Sequence, residues 1–233
     1  MTRVLQLAVG KRVRTTGLSG SARAWVLSRL AREHGAPLVC VTVDDDAADT
    51  LAAELAFFLG GDAQVQRLAS SEVMPWDELV PDAGETNERL ATLFHLAHGK
   101  KFSALVLPVR ALARKVLPLS EITKLSGEVR VGDDVGRDTL ALRLANMGYR
   151  NAPLVEDPGC FSVRGDILDV FPALHETPVR LEFFGDSVET MRAFDPDTQR
   201  TIEDVKLLTL IPARELYFSP ETRARAEASV RAL

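Results

Sequence analysis

Two different hydrophobic periods divide this chain into two parts. In the first part, short continuous apolar runs alternate with amphipathic runs of helical period. The apolar runs predict strands at residues 4–9, 38–43, 64–68 and 104–109. The amphipathic runs predict helices at residues 21–34, 47–59 and 85–98. Continuous apolar strands separated by amphipathic helices are typical of a parallel sheet covered by helices on both faces.

Beyond Leu117 the pattern changes to shorter segments of period two. A helix is predicted at residues 138–147, and strands at 160–163, 167–171, 179–184, 188–194 and 205–211. Short stretches of Gly, Asp and Pro lie next to several of these strands. These residue types form the tight turns of an antiparallel meander. The sequence therefore predicts an α/β fold, in which a parallel sheet flanked by helices carries an inserted smaller α+β domain with an antiparallel sheet.

The predicted domain boundaries follow the same change of period. The first domain spans residues 1–118, and the second spans residues 119–212. Residues 213–233 begin a third, with an N-cap serine and Pro220 opening a helix at 219–233. Because that helical pattern runs to the last residue, we expect the chain to be part of a longer protein.

Composition narrows the class of protein. Hydrophobic residues make up 46% of the chain, and no run approaches the roughly 20 apolar residues that a membrane span needs. The N-terminal segment lacks the features of a signal peptide. Only two cysteines occur, Cys40 and Cys160, which favours buried free thiols over a disulfide framework. We expect a cytoplasmic protein without a membrane partner.

The net charge of -5 comes from one segment, residues 148–200. This segment contains ten carboxylates and five arginines but no lysine, whereas the acidic and basic residues balance elsewhere. A surface for non-specific phosphate contact is normally net basic. Scattered arginines among carboxylates favour bidentate ion pairing with another protein.

A degenerate phosphate-binding loop precedes the first predicted helix. The P-loop pattern G-x-x-x-x-G-K-[ST] starts at Gly17, passes Gly20, and then meets Ala22, Arg23 and Ala24 where it requires Gly, Lys and Ser or Thr. The lysine for the phosphates and the hydroxyl for Mg²⁺ are both replaced. We therefore interpret the loop as a structural relic, with weak anion binding by backbone amides at the helix start as the alternative.

Two other groups of polar residues have a structural interpretation that we favour over a chemical one. Asp44, Asp45 and Asp46 follow the second predicted strand as Walker B carboxylates do, but they also suit the N-terminus of the next helix. His95 and His98 share a predicted helix without a further ligand at a recognised spacing, so we predict no metal site. No nucleophile elbow or paired-carboxylate motif is present, and we predict no catalytic residue.

The strand predicted at residues 179–184 has an unusual outer face. If Val179, Leu181 and Phe183 point inward, Arg180 and Phe184 point outward on the same face. An outward arginine and phenylalanine are typical anchors of a protein–protein interface.

A second interpretation of these arginines stays open at this point. The arginines can be solvated, or they can pair locally with Glu182 and Asp186.

The same region carries a long family motif. The stretches "VRGDILDVFP" and "VRLEFFGDSVETMRAFDPDTQRT", flanked by "GYR" and "LTLIPARE", resemble the module shared by the excision-repair protein UvrB and the bacterial transcription-repair coupling factors. Upstream, "MPWDELVPDAGETNERLATLFHL" and "LVLPVRALARKVLP" extend the resemblance over nearly the whole chain.

Two departures from UvrB favour the coupling factors. UvrB has an intact G-x-T-G-x-G-K-T loop and an insertion with an aromatic-rich hairpin that grips DNA. Here the loop is "GLSGSARA", and only "MPWDELVPDAGE" occupies the position of the insertion, with Trp76 as its one aromatic residue. The chain thus resembles the N-terminal UvrB-like region of the coupling factors, which implies a degenerate P-loop in a helicase-like half domain.

The resemblance implies a recruiting role for the small domain, which binds UvrA in this family. The implied contact residues are Arg164, Arg180 and Phe184, and Arg192 and Arg200 are weaker candidates from the same acidic segment. The chain itself would be a non-enzymatic adaptor without a cofactor. ATP and Mg²⁺ would belong to the translocase motor of the full-length protein, whose further partners are RNA polymerase and double-stranded DNA.

The alternative function is enzymatic. In that case the chain is a fragment of a UvrB-like ATPase in which Arg23 replaces the P-loop lysine and the motor is completed beyond residue 233. Direct DNA binding by this chain is disfavoured by its acidic charge.

Overall fold

The computed structural model describes residues 12–34, 37–60, 65–70, 83–215 and 220–231. Within these residues the elements are, in chain order, α1 (Ala22–His34), β1 (Leu38–Thr42), α2 (Asp45–Leu59), β2 (Val65–Arg67), α3 (Ala83–Ala97), β3 (Ala104–Pro108), α4 (Val109–Ala113), α5 (Leu119–Leu125), β4 (Gly127–Arg130), α6 (Arg137–Asn146), β5 (Arg150–Asn151), β6 (Cys160–Arg164), β7 (Ile167–Val170), β8 (Val179–Phe184), β9 (Ser187–Phe194), β10 (Thr201–Asp204), β11 (Leu207–Leu210) and α7 (Pro220–Arg231).

The chain divides into two compact units. The first contains the described parts of Met1–Ser70 and Lys100–Arg114, and the second contains those of Ser71–Gly99 and Lys115–Leu233. Among the described residues, no helix is long and apolar enough to cross a membrane. The division into domains 1–118, 119–212 and 213–233 stays a prediction.

A three-stranded parallel sheet forms the centre of the first unit, in the order β1-β3-β2. Every residue of the central strand β3 is buried, which explains its uninterrupted apolar sequence. One face of the sheet packs against α1 and α2 through a cluster that includes Ala24, Leu55 and Val106. The predicted parallel sheet is confirmed, and the strand predicted at residues 4–9 lies outside the described residues.

The expectation that helices cover both faces of this sheet is wrong at β1. Val39 and Val41 alternate with the buried Cys40 and are 62% and 49% exposed. Val39 and Val41 point to the face of the sheet opposite Cys40, and among the described residues no helix buries them on that face.

The second unit is built on a six-stranded sheet in the order β10-β9-β8-β7-β6-β5. Strands β6 to β10 pair antiparallel, which confirms the predicted meander, and β5 adds a short parallel pair to β6. The strand predicted at residues 205–211 is present, but its expected place at the end of the meander is wrong. That segment forms β11, which pairs with β4 in a separate two-stranded sheet.

Helix α6 closes the main core of this unit. Leu140 and Leu144 of the helix pack with one face of the six-stranded sheet, in a cluster that contains Leu168, Leu181 and Met191. The opposite face of the sheet is covered in part by a smaller apolar cluster, which consists of Val155, Cys160, Phe171 and Phe194.

An irregularity in β9 preserves the orientation of its apolar side chains. Glu182 pairs with Thr190, but the next residue, Phe183, pairs with Val188, so Glu189 is an extra residue in the ladder. Val188 and Met191 are three residues apart and would point to opposite faces of a regular strand. The bulge places both in the core, where they are buried.

Candidate protein-interaction surface

The loop before α1 has two glycines with positive φ but lacks the side chains of a phosphate-binding loop. Gly17 and Gly20 have φ of +79° and +52°, which only glycine adopts without strain. Helix α1 begins at Ala22, and the Arg23 side chain is exposed. Ala24 is completely buried in the core of the first unit. A methyl group inside the core therefore occupies the position where a P-loop carries its metal-binding hydroxyl.

The three aspartates after β1 lie at the start of α2. Asp44 is the N-cap residue, and its Oδ1 accepts a hydrogen bond of 2.8 Å from the Ala47 amide. Asp45 accepts from the amide of Ser70 at 3.0 Å and from its hydroxyl. Asp46 follows in the first turn, near the positive end of the helix. The capping role that the sequence predicted is confirmed for Asp44.

The two histidines near the end of α3 both lie near the ring of Phe94. The ring of His98 lies 4.0 Å from that of Phe94, and its Nδ1 is 3.0 Å from the Phe94 carbonyl oxygen. His95 lies in the last turn of the helix. In the part of the chain that the structure describes, no group of three His, Cys, Asp or Glu side chains is placed to hold a metal ion.

Both cysteines are buried free thiols, as the sequence predicted. Burial raises the pKa of Cys40, which keeps this thiol protonated within the core of the first unit. Cys160 accepts a hydrogen bond of 3.3 Å from Arg150.

Strand β8 has the two faces that the sequence predicted. Val179, Leu181 and Phe183 are buried in the core beneath α6, whereas Phe184 is 81% exposed. Arg180 lies on the outer face with a side chain that is 23% exposed. The strict alternation follows from the geometry of a strand in which only one face reaches the main core.

Arg164 and Arg180 converge on one carboxylate, that of Asp169 in β7. The Asp169 side chain is only 1% exposed. Arg180 donates from Nε to Oδ1 at 2.7 Å and from Nη2 to Oδ2 at 2.9 Å, and Arg164 donates from Nη2 to Oδ2 at 2.9 Å. The ladder register explains this meeting, because Asp169 pairs directly with Arg180.

Further contacts fix the guanidinium of Arg180. Its Nη2 donates to Oε1 of Gln199 at 3.2 Å, and its Cζ lies 4.6 Å from the centre of the Phe194 ring. The hydrogen bonds that Arg180 donates to Asp169 raise the pKa of Arg180, so it stays charged. The alternative that the arginines pair locally is confirmed in part: Arg192 pairs with Glu182, whereas Arg180 pairs with Asp169 and not with Glu182 or Asp186.

Glu182 instead accepts hydrogen bonds from two side chains of the neighbouring strand, β9. Its Oε1 accepts from Nη1 of Arg192 at 3.1 Å, and its Oε2 accepts from the Thr190 hydroxyl at 3.0 Å. Arg192 also lies 3.8 Å from Asp204 of β10. The last candidate, Arg200, has an exposed side chain. Its backbone carbonyl accepts a hydrogen bond of 2.9 Å from the Asp195 amide, which closes the loop between β9 and β10.

Sequence reasoning missed Asp169, although a signal for it was present. Asp169 interrupts the apolar run of β7 between Leu168 and Val170, both of which are completely buried. A carboxylate at the alternate position of such a strand points to the opposite face and needs a cation there. The structure shows that this face supplies two.

A shallow depression adjoins the two arginines. Its volume is about 360 Å³, and it is lined by Leu154, Arg164, Ile167, Arg180 and Gln199. Leu154 is 37% exposed, so this part of the surface combines apolar side chains with guanidinium groups. Together with Phe184 on the same sheet face, these residues have the composition of a protein-interaction surface.

Comparison with known proteins places this surface within a recognised domain. Residues 128–216 match the family described as the UvrB interaction domain. The chain is 57% identical, over 98% of its length, to the transcription-repair-coupling factor of Myxococcus xanthus, and 35% identical over 85% to that of Escherichia coli. The corresponding protein of Bacillus subtilis is 36% identical over 90% of the chain.

The chain corresponds to 19%, 17% and 18% of these three relatives, or about a fifth of their length. The resemblance that the motifs indicated, to the UvrB-like region of the coupling factors, is confirmed.

Proposed function

We propose, on the premise that residues 128–216 form a UvrB interaction domain, that this chain recruits UvrA during nucleotide excision repair. It acts as the N-terminal adaptor region of a transcription-repair coupling factor and brings UvrA to stalled RNA polymerase. The observation that carries the proposal is an exposed aromatic side chain, Phe184, on the same sheet face as Arg164 and Arg180 within the matched residues.

Phe184 is the residue best suited to anchor the partner. Its side chain is 81% exposed, at the end of β8 and just before the β8–β9 turn, so its apolar surface is buried only when a partner covers it. Burial of a whole phenylalanine side chain contributes roughly 1.5–3 kcal/mol. Arg164 and Arg180 add directional donors, and Arg192 and Arg200 lie further along the same segment as weaker candidates.

The direct test is a calorimetric titration of this chain with UvrA. Phe184→Ala should weaken binding by about 2 kcal/mol, or roughly thirtyfold, while leaving the melting temperature unchanged. Phe57→Ala is a matched control, because Phe57 is 80% exposed on α2 in the other unit. Equal affinities of the Phe184 and Phe57 variants would contradict the role of Phe184, and an absence of any binding by the unmodified chain would contradict the proposal itself.

We further propose that this chain does not bind nucleotide and is not itself an enzyme. Its first unit is a helicase-like half domain with a degenerate P-loop. The exposed Arg23 and the buried Ala24 support this, because neither supplies the lysine or hydroxyl that hold phosphate and Mg²⁺. ATP and Mg²⁺ belong to a motor elsewhere in the longer protein.

A thermal-shift titration with MgATP separates this proposal from the enzymatic alternative, in which Arg23 replaces the P-loop lysine. Any ligand that binds only the native state raises the melting temperature. We expect no shift. A shift that saturates with MgATP and disappears in Arg23→Ala would establish the alternative.

The remaining partners are proposals for the longer protein, and they are consistent with the description of its relatives as transcription-repair-coupling factors. These partners are RNA polymerase and double-stranded DNA, and the location is the cytoplasm. This chain, with a net charge of -5, should not bind DNA by itself. Measurement of its DNA affinity at two salt concentrations tests this, and a strong salt-dependent affinity would contradict it.

A further inference from the structure

Asp169 is a buried charge held by two arginines. Its side chain is 1% exposed, and its two carboxylate oxygens accept three hydrogen bonds of 2.7–2.9 Å from Arg164 and Arg180. A buried carboxylate is stable only with such partners. Conversely, the carboxylate fixes both guanidinium groups in one place before any partner arrives.

The charges of this cluster do not balance. Two guanidinium groups share a single carboxylate, so the three side chains together carry one excess positive charge. The negative group is inside, whereas the Arg164 side chain is 52% exposed. The surface therefore presents positive charge to a partner, although the segment 148–200 is acidic as a whole.

Apolar surface lies directly beside this charge. Leu154 and Ile167 line the same depression of about 360 Å³ as Arg164 and Arg180. A side chain that enters this depression meets a leucine, an isoleucine and the edges of two guanidinium groups. Such a site favours an apolar side chain followed or preceded by a carboxylate.

We propose that Asp169 is a positioning residue that holds Arg164 and Arg180 beside the apolar depression of Leu154 and Ile167, and that this preorganised site takes a UvrA segment in which a carboxylate adjoins an apolar side chain. The inference rests on the proposed recruitment of UvrA. Asp169 makes no contact with the partner, and it acts by removing the need to order two long side chains on binding.

The central experiment is Asp169→Asn, measured by titration with UvrA. If Asp169 contributed only its charge, its removal would make the surface more positive and tighten the binding of an acidic segment. Positioning predicts the opposite, a loss of about tenfold. Asp166→Asn, in the exposed turn before β7, removes the same charge without touching the arginine pair and is the matched control. Unchanged or tighter binding by Asp169→Asn would overturn the inference.

A double-variant cycle with Arg164→Ala separates positioning from a general loss of structure. Arg164 is the suitable partner because Arg180 keeps its two hydrogen bonds to Asp169 when Arg164 is removed. If Asp169 acts through the arginines, the loss in the double variant is smaller than the product of the two single losses. Losses that multiply would mean that Asp169→Asn merely weakens the sheet, and would overturn the inference.

Leu154→Ala tests the apolar part of the site. We expect about fivefold weaker binding with the same dependence on NaCl concentration, because only apolar contact is lost. Arg164→Ala should instead flatten the salt dependence. Leu142→Ala, which truncates a 64% exposed leucine on α6, is the control. If Leu154→Ala behaves like Leu142→Ala, the depression takes no side chain and the inference fails.

The failure of this inference is distinguishable from that of the proposed function. If the unmodified chain does not bind UvrA, the recruitment proposal fails. If it binds and Phe184→Ala weakens the complex, but neither Asp169→Asn nor Leu154→Ala does, only the present inference fails.

Discussion

Removal of the Arg180 side chain should destabilise the second unit and not only alter the proposed binding surface. Arg180→Ala deletes two hydrogen bonds to the buried Asp169 and the contact with the Phe194 ring. Breaking a buried ion pair on one side costs about 3–5 kcal/mol. Arg164 stays in place and offsets part of this, so we expect a loss of about 3 kcal/mol in the free energy of unfolding.

The same reasoning predicts strong coupling between the two partners. Asp169→Asn alone should cost about 2 kcal/mol, because it leaves two partly exposed arginines without their carboxylate. The double variant, Arg180→Ala with Asp169→Asn, should lose about 3 kcal/mol, no more than Arg180→Ala alone. Without the Asp169 charge, the loss of Arg180 no longer leaves a buried carboxylate uncompensated. The coupling energy is therefore about 2 kcal/mol.

These free energies of unfolding can be measured by hydrogen exchange at increasing urea concentrations, followed on peptides from β6 to β9. Such peptides report on the second unit alone, so the unfolding of the first unit does not contribute. Arg200→Ala is the control, since this exposed arginine should change stability by less than about 0.5 kcal/mol. Additive losses of Arg180→Ala and Asp169→Asn, or a loss below about 1 kcal/mol for Arg180→Ala, would refute the reasoning. The result also decides how binding data for Arg180 variants are interpreted.

Three smaller predictions concern single groups of the second unit. Tyr149→Phe should cost about 1 kcal/mol in urea unfolding, because the buried hydroxyl donates to the Ile211 carbonyl at 2.9 Å, and an unchanged midpoint would contradict this. Burial lowers the pKa of His175 in the folded state, so the unfolded chain takes up a proton at a higher pH than the folded chain does. The free energy of unfolding should therefore fall as the pH drops below about 6.5, and His175→Gln should flatten this dependence. The amide and hydroxyl of Thr198 lower the pKa of Asp195, and Thr198→Val, which removes only the hydroxyl, should raise that pKa partway in an NMR titration.

Local patterns in the sequence were sufficient for most elements. The helix predicted at 21–34 is α1, and the strand predicted at 179–184 has the bounds of β8. These predictions succeeded because each element buries one face, so its period is visible in its own residues. Helix α2 begins at Asp45, two residues before the predicted start, because Asp44 is the residue that caps it.

Elements with weak or very short patterns were missed. Strand β10 is exposed at all four positions, so no hydrophobic alternation identifies it. Strand β5 has two residues, and β4 has one buried side chain, Val129. The strand β11 was found, but its pairing with β4 was not, because the partner is some 80 residues away and leaves no trace in the local period.

The sequence by itself determined which residues of the proposed binding surface face outward and which family motif they belong to. Alternation in β8 placed Arg180 and Phe184 opposite the core, since side chains of a strand reverse at every residue. Only the tertiary structure decided which partners the arginines have. Arg164, Asp169 and Arg180 lie on three different strands, and their meeting depends on the register of those strands. Register is set by the packing of the whole sheet on its core, so the local pattern could indicate that Asp169 needs a cation but not that Arg164 and Arg180 supply it.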